Sequence, residues 1–202
     1  GTPVAQILIK RGKVSGVVLE NGDEVFADIV ASSVDPRLTF FKMVGKELLP
    51  DDFVEDVSRY KLRGSSGKVN LALDALPNFT SLPGAGPHLR GGLTISPDVD
   101  YMERAYDDAK YGGYSRHPYI DMVIPTLSDP SLAPPGKHIL SCFVQYAPYH
   151  LSSGTWDDQR EQFGDCVVNT VADYAPNLKD IILHRQVITP LDLEREFGLT
   201  EG

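Results

Sequence analysis

Apolar and polar positions alternate along the first 35 residues with the two-residue period of half-buried strands. VAQILIK (4–10) and VSGVVLE (14–20) flank Arg11-Gly12-Lys13, and Asn21-Gly22 then offers the positive-φ pair that a tight hairpin prefers. DIVASS (28–33) starts with a continuous apolar run, as a strand covered on both faces would. Together these segments predict a compact β unit ending near residue 35.

The period then lengthens to that of helices. PRLTFFKMVG opens on Pro36, a residue suited to the first helical position, and stops at Gly45. PDDFVEDVSRYK places Phe53, Val54, Val57 and Tyr60 on one face, with Asp51 and Asp52 near the positive end of the helix dipole. Alternation returns in KVNLALDAL (68–76), with Val69, Leu71, Leu73 and Ala75 on one side and Lys68, Asn70, Ala72 and Asp74 on the other. Residues 76–92 hold Pro77, Pro83, Gly84, Gly86, Pro87, Gly91 and Gly92, too many breakers for a regular element. A loop of that length is a candidate lid.

After a short strand, GLTIS, the segment SPDVDYMERAYDDAKYGG predicts a helix. Ser96 is its N-cap, Pro97 its first residue, Val99, Met102, Tyr106 and Ala109 its apolar stripe, and Gly112 its stop. YIDMVIPT (119–126) and KHILSCFVQYAP (137–148) follow as strands. The second carries Leu140, Cys142, Val144 and Tyr146 on one face and the mixed set Ile139, Ser141, Phe143 and Gln145 on the other, the pattern of a central strand with a cavity-facing side. TWDDQREQFGDCVVNTVADYAP predicts a long helix capped by Thr155 and Asp158, with Phe163, Cys166, Val167, Thr170, Val171 and Tyr174 at 3-4 spacing before Pro176. A helical turn, a strand at 184–189 and a short polar helix or turn, LDLEREFG, complete the chain. The fold class is α+β: a mixed or antiparallel sheet of about five strands covered by helices, preceded by the small β unit.

Composition narrows the function classes. The chain has 202 residues, 42% hydrophobic and 23% charged, which is ordinary for a globular protein. A net charge of -9 disfavours a nucleic-acid backbone or an anionic membrane as partner, and no apolar run approaches the ~18–20 residues of a membrane span. The expected partner is a small organic molecule, with a homo-oligomer open. Cys142 and Cys166 form no C-x-x-C pair and read as buried free thiols of a reducing compartment, the cytoplasm or, alternatively, the mitochondrial matrix. A start at Gly1 and an end at FGLTEG fit an internal piece of a longer polypeptide.

No catalytic constellation emerges from spacing alone. RGSSGKV (63–69) fails as a phosphate loop, because Leu62 stands where the first glycine belongs and Val69 replaces the metal-binding hydroxyl. Ser115 in GYSRH follows a helix rather than a strand, which disfavours a hydrolase elbow. Five histidines are scattered without metal-ligand spacing, so no metal is expected; His117 and His150 beside tyrosines are the two that would reach a pocket. The pairs Asp51/Asp52, Asp107/Asp108 and Asp157/Asp158 suit helix starts and solvated faces. Asn78 in NFT is a glycosylation acceptor only in a secreted protein.

Several segments, in order, resemble the phytoene-desaturase-like FAD-dependent oxidoreductases, in particular the subgroup named pyridine nucleotide-disulfide oxidoreductase domain-containing protein 2. They are PVAQILIKRGKVSGVVLENGDEVFADIVASSVDP, KVNLALDALPNF, SPDVDYMERAYDDAKYGG, SLAPPGKHILSCFVQYAPYHL and ITPLDLEREFGLTEG. The resemblance implies a small β unit from the edge of an FAD-binding domain at 1–35, a substrate-binding α+β domain at 36–190, and the start of the return to the FAD domain at 191–202. It implies that Val4 meets the adenine through its backbone and that Ser32, Ser33 and Asp35 pass the adenosine; equally, Val4 is an ordinary strand residue and the serines belong to a capping turn. The sheet of the substrate domain forms the roof over the flavin ring in such proteins, which makes Asn70, Gln145 and Tyr146 the candidate substrate-binding residues, with solvent exposure or core packing as the alternative for each. No G-x-G-x-x-G occurs in these residues, so FAD is expected in the longer protein and not on this chain alone. The implied function is flavin-dependent hydride removal from an apolar or amine-bearing substrate, inactive in isolation. The alternative, from a different class, is a non-catalytic module for self-association or partner binding.

Overall fold

The computed structural model describes residues 1–202, which divide into two compact units, Gly1–Leu62 with Gly198–Thr200 and Arg63–Phe197 with Glu201–Gly202. In the first unit β1 (Val4–Lys10), β2 (Lys13–Leu19) and β3 (Glu24–Phe26) form an antiparallel meander. The hairpin pair with positive φ is Arg11 and Gly12 (53° and 72°), one connection earlier than Asn21-Gly22. A two-residue link between paired strands demands that conformation, whereas the longer link from Leu19 to Glu24 needs it only at Gly22 (φ 90°). At Gly16 a Cβ would lie 2.2 Å from the Val25 carbonyl, so the close approach of β3 requires glycine there.

The strand expected at 28–33 does not form. A strand buried on both faces needs pairing partners, and none of β1–β3 offers one: the segment runs without ladder bonds and Ile29 is 85% exposed. Its end organises a π-type helix, Arg37–Gly45, which packs on β1. Asp35 Oδ1 accepts from the Leu38 amide (3.0 Å), and buried Thr39 shares a 2.7 Å bond with the Ser32 hydroxyl. Helix α1 (Asp51–Arg59) buries Val57 and sets Phe53 edge-on to Phe40 at 4.8 Å, while Tyr60 is exposed.

The second unit is a five-stranded antiparallel sheet. In chain order its strands are β4 (Ser66–Leu73), β5 (Leu93–Ile95), β6 (Tyr119–Val123), β7 (His138–Gln145) and β8 (Ile182–Ile188), and in space β5-β6-β7-β4-β8. The α+β class with an antiparallel sheet and a separate small β unit is the one the alternation predicts. Helices α2 (Val99–Lys110), α3 (Trp156–Tyr174), α4 (Leu178–Ile181) and α5 (Pro190–Phe197) complete it. Helix α3 starts at Thr155 as expected, its hydroxyl oxygen accepting from the Asp158 amide at 3.2 Å. Helix α2 starts at Asp98 instead of Ser96. Asp98 has the extended backbone of an N-cap and its carboxylate accepts from the Tyr101 amide at 2.7 Å. The face that packs differs from the expected stripe: Ala105 is buried, with Tyr101 and Met102 partly so, while Val99 is 75% exposed.

The core lies on one side of the sheet. Val69, Leu71 and Leu73 of β4 and Leu140, Cys142 and Val144 of β7 are sealed by Phe163, Val167 and Val171 of α3. Each such side chain contributes about 1.5–3 kcal/mol relative to exposure. Gly67 admits the Phe163 ring, which a Cβ would meet at 2.8 Å. Arg160 of α3 donates to the Val187 carbonyl and to both oxygens of buried Asp192, which also caps α5 by accepting from the Thr189 amide and hydroxyl at 2.8 Å each. The loop over 76–92 is tied along this layer: Phe79 and Leu89 are buried, Thr80 N donates to the Tyr174 carbonyl, and Asn78 N to Asn177 Oδ1.

Candidate functional site

The other side of the same sheet is open. Strand register places Thr94, Asp121, Phe143, Lys68, Ser141, Asn70 and Gln186 on one face, since Thr94 pairs with Asp121, Asp121 with Phe143, Phe143 with Lys68, and Ser141 with Asn70, itself opposite Gln186. Phe143 is 42% and Val123 47% exposed. A cleft of about 360 Å³ is lined by Lys68, Gly92, Asp121, Val123, Ser141 and Phe143 together with Met122.

Two hydrogen-bonded groups organise this face. Ser141 Oγ donates to Asn70 Oδ1 and Asn70 Nδ2 donates to Gln186 Oε1, both at 3.0 Å, which fixes the orientation of the Asn70 amide across three strands. Asp121 accepts at Oδ1 from Thr94 Oγ1 and at Oδ2 from the Tyr119 hydroxyl, both at 2.6 Å. The bond to Asp121, with some burial, raises the Tyr119 phenol above its ordinary range, so Tyr119 remains a neutral donor.

The sequence-derived substrate residues separate. Asn70 and Gln145 are on the open face, Gln145 reaching Ser66 Oγ at 3.5 Å. Tyr146 lies past the end of β7 and meets Tyr106 of α2 edge-on at 5.3 Å, with its amide bonded to Ser115 Oγ (2.8 Å). It therefore joins the helix layer and not the face that carries Asn70. Ser115 is fully buried; its hydroxyl donates to the Ala105 carbonyl at 2.5 Å, which leaves no approach for a substrate and removes it as a nucleophile. Spacing alone does not point to Asp121 or Tyr119, while Phe143 lies on the mixed face of β7 and Lys68 on the polar face of β4 that the alternation marks. The sequence signal for Asp121 is that YIDMV puts a carboxylate in mid-strand on the same alternating face as Tyr119 and Val123.

In the first unit, Val4, Ser32 and Ser33 come together in a second cleft of about 370 Å³, whose other walls include Ile7, Val17 and Met43. Asp35 stands outside this lining, one oxygen capping the helix at Leu38 and the other accepting from Thr200 Oγ1 at 2.5 Å. A largely apolar cleft edged by two hydroxyls suits a purine and its ribose. A diphosphate calls for backbone N–H groups at a glycine-rich helix start, which this unit does not provide.

Other candidates carry less. His117 borders a groove of about 520 Å³ along α2 with Tyr101, Arg104 and Arg116, and Arg116 there forms a two-pronged pair with Asp108. His150 stacks edge-on with Tyr149 at 4.8 Å. Both cysteines are free, and burial pushes the Cys142 thiol up to about 12 and that of Cys166 to about 11, so neither is a thiolate near neutrality. No group of three or more His, Cys, Asp or Glu side chains is placed to hold a metal ion, and no helix is long and apolar enough to cross a membrane.

Comparison with known proteins gives these sites a context. No protein-family model matches the chain. It is 38% identical over 208 aligned positions, 98% of its own length, to pyridine nucleotide-disulfide oxidoreductase domain-containing protein 2 of Rattus norvegicus. It is 31% identical, again over 98% of its length, to chloroplastic prolycopene isomerase 2 of an Oncidium hybrid cultivar. The chain spans 36% and 32% of those two relatives. In three dimensions it is similar to an oxidoreductase from Methanosarcina mazei, with TM-score 0.54 and 22% identity over 93% of this chain and 36% of that one, a likeness of fold. The chain is thus a homologue of a segment of phytoene-desaturase-like proteins, oxidoreductases and isomerases by name, as the resemblance in its sequence indicates.

Proposed function

We propose, from this kinship, that the chain is the substrate-binding portion of an FAD-dependent oxidoreductase that removes hydride from an apolar or amine-bearing organic substrate. In this reading residues 1–35 contribute to the FAD-binding domain, 36–190 form the substrate domain, and 191–202 lead back toward the FAD domain. The observation that carries it is the one-sided sheet of the second unit: one face is closed by α3, and the other keeps a cleft in which apolar side chains stand beside oriented polar ones. That combination is the general make-up of a small-molecule site.

FAD, when bound, supplies the hydride acceptor. The residues of this chain do the rest. Val4, Ser32 and Ser33 would hold the adenosine end, and Asn70, positioned by Ser141 and Gln186, would orient the reacting molecule while Phe143 and Val123 keep water from its apolar body. Because the flavin carries the redox chemistry, no acid–base set is required of the protein. With no diphosphate grip, the 202 residues alone are inactive in this reading.

The test is anaerobic titration of the polypeptide, made at the length of its relatives, with apolar and amine-bearing compounds while its absorbance is followed. Yellow protein that bleaches with a compound of either class is the expected result; folded, colourless protein at that length contradicts the proposal.

A further inference from the structure

In the open-face cleft a carboxylate and an aromatic ring stand side by side. Asp121 on β6 is directly opposite Phe143 on β7, and such cross-strand neighbours have Cβ atoms about 4.5–5.5 Å apart. The partners of Asp121, Thr94 and Tyr119, are both neutral donors. They orient the carboxylate without cancelling its charge, and no Lys, Arg or His forms an ion pair with it. Each oxygen has accepted one bond and can accept another. Phe143 and Val123 are among the most exposed large apolar side chains of the sheet, and both border the same cleft. Lys68 lies beyond the ring, opposite Phe143 on β4, so two strand spacings, about 10 Å of backbone, separate it from Asp121.

Resting on the reading above that this face meets the substrate, we infer that the cleft takes an organic ammonium, with its N–H groups on Asp121 and its hydrocarbon stem over Phe143 and Val123. A fixed carboxylate with no ion-pair partner beside a half-exposed ring offers such a molecule a charge-assisted hydrogen bond for its head and an apolar surface for its stem. A pure hydrocarbon covering the cleft would strip water from Asp121 and return nothing to its lone pairs, a net loss. An anionic substrate would meet the same carboxylate with repulsion. Lys68 borders the same cleft from β4 but forms no ion pair with Asp121, so the free lone pairs of the carboxylate stay open to an ammonium.

The probe is phenethylamine hydrochloride, titrated into the isotope-labelled 202-residue chain near neutral pH and followed by amide chemical shifts, with phenethyl alcohol and hydrocinnamate as neutral and anionic counterparts. The expected result is shifts centred on β6 and β7 and an affinity for the ammonium at least about tenfold above that for the alcohol. Asp121→Asn, whose amide oxygen still accepts from one donor, abolishes that preference. Asp121→Glu, which keeps the charge and guards against a folding artefact, retains it within a few-fold. Equal affinity for the alcohol, tighter binding of hydrocinnamate, or a preference that survives Asp121→Asn overturns the inference. Protein that holds flavin at the length of its relatives yet ignores the ammonium sinks this inference and leaves the redox reading standing. Ammonium selectivity in protein that stays colourless at that length keeps the site and removes the redox reading.

Discussion

Along β7, Leu140, Cys142 and Val144 are sealed beneath α3, while Ser141 and Phe143, which alternate with them, remain within reach of solvent. The same contrast holds on β4 between Val69, Leu71 and Leu73 on one side and Lys68 and Asn70 on the other. The covered face is apolar at its centre and carries one charged group at its β8 edge, Arg185, which α3 satisfies through Asp165 and Glu161; its neighbours interlock so closely that Gly67 is required where Phe163 enters. The open face has little packing to lose and instead holds its polar groups in defined pairs, Asn70 with Ser141 and Gln186, Asp121 with Thr94 and Tyr119. Stability therefore resides on one side of the sheet, and the other side is the one proposed to meet a ligand.

Side-chain truncation on the two faces is expected to have unequal effects on stability. Phe163→Ala removes a fully buried ring and lowers unfolding free energy in a urea titration by about 3–5 kcal/mol. A loss under 1 kcal/mol would mean that α3 does not seal the core. Ser115→Ala follows with about 1–3 kcal/mol, because the Tyr146 amide loses its acceptor and the Ala105 carbonyl its donor in a buried setting. A serine-directed reagent leaves the native protein unlabelled.

Acid acts on the α3 side of the sheet through Asp192. Burial raises its carboxyl, but the Arg160 hydrogen bond and the Thr189 donors outweigh that and hold it below the ordinary carboxylate range. A depressed folded value means the contribution is complete above the unfolded value of about 3.9 and is lost as pH falls through the lower folded value. Thermal melts are therefore expected to be insensitive to this group near neutrality and to fall in acid, while Asp192→Asn melts lower at neutral pH and shows a shallower acid limb. An unchanged acid limb in that variant would show that Asp192 is not a clamp. The smallest effect belongs to the open face: Phe143→Ala changes stability by no more than about 0.5–1 kcal/mol. If it costs as much as Phe163→Ala, the two faces are energetically alike and the contrast fails.

Features set by near neighbours in the chain were legible from sequence. The β4 and β7 alternation fixes which side chains face the core, and Thr155 with Asp158 marks the start of α3. Features that depend on a partner were not. DIVASS has the apolar run of a central strand and finds nothing to pair with, while SPD offers three capping or first-turn residues, of which the carboxylate of Asp98 wins over the hydroxyl of Ser96. Tyr146 follows the β7 alternation in sequence, yet the strand ends at Gln145 and the ring turns to Tyr106. Asn70 and Gln145 are readable because they alternate with core residues; Asp121 is visible as a mid-strand carboxylate in YIDMV, and only its bond to Thr94 depends on the register of β5 and β6.

The proposed division of labour, a face for a reactant here and the grip on a flavin's diphosphate in the longer protein, can be read from the stoichiometry of FAD retained after desalting. None is expected on the 202-residue chain, and one per polypeptide at the length of its relatives. A full equivalent of FAD held by the 202 residues alone would contradict it.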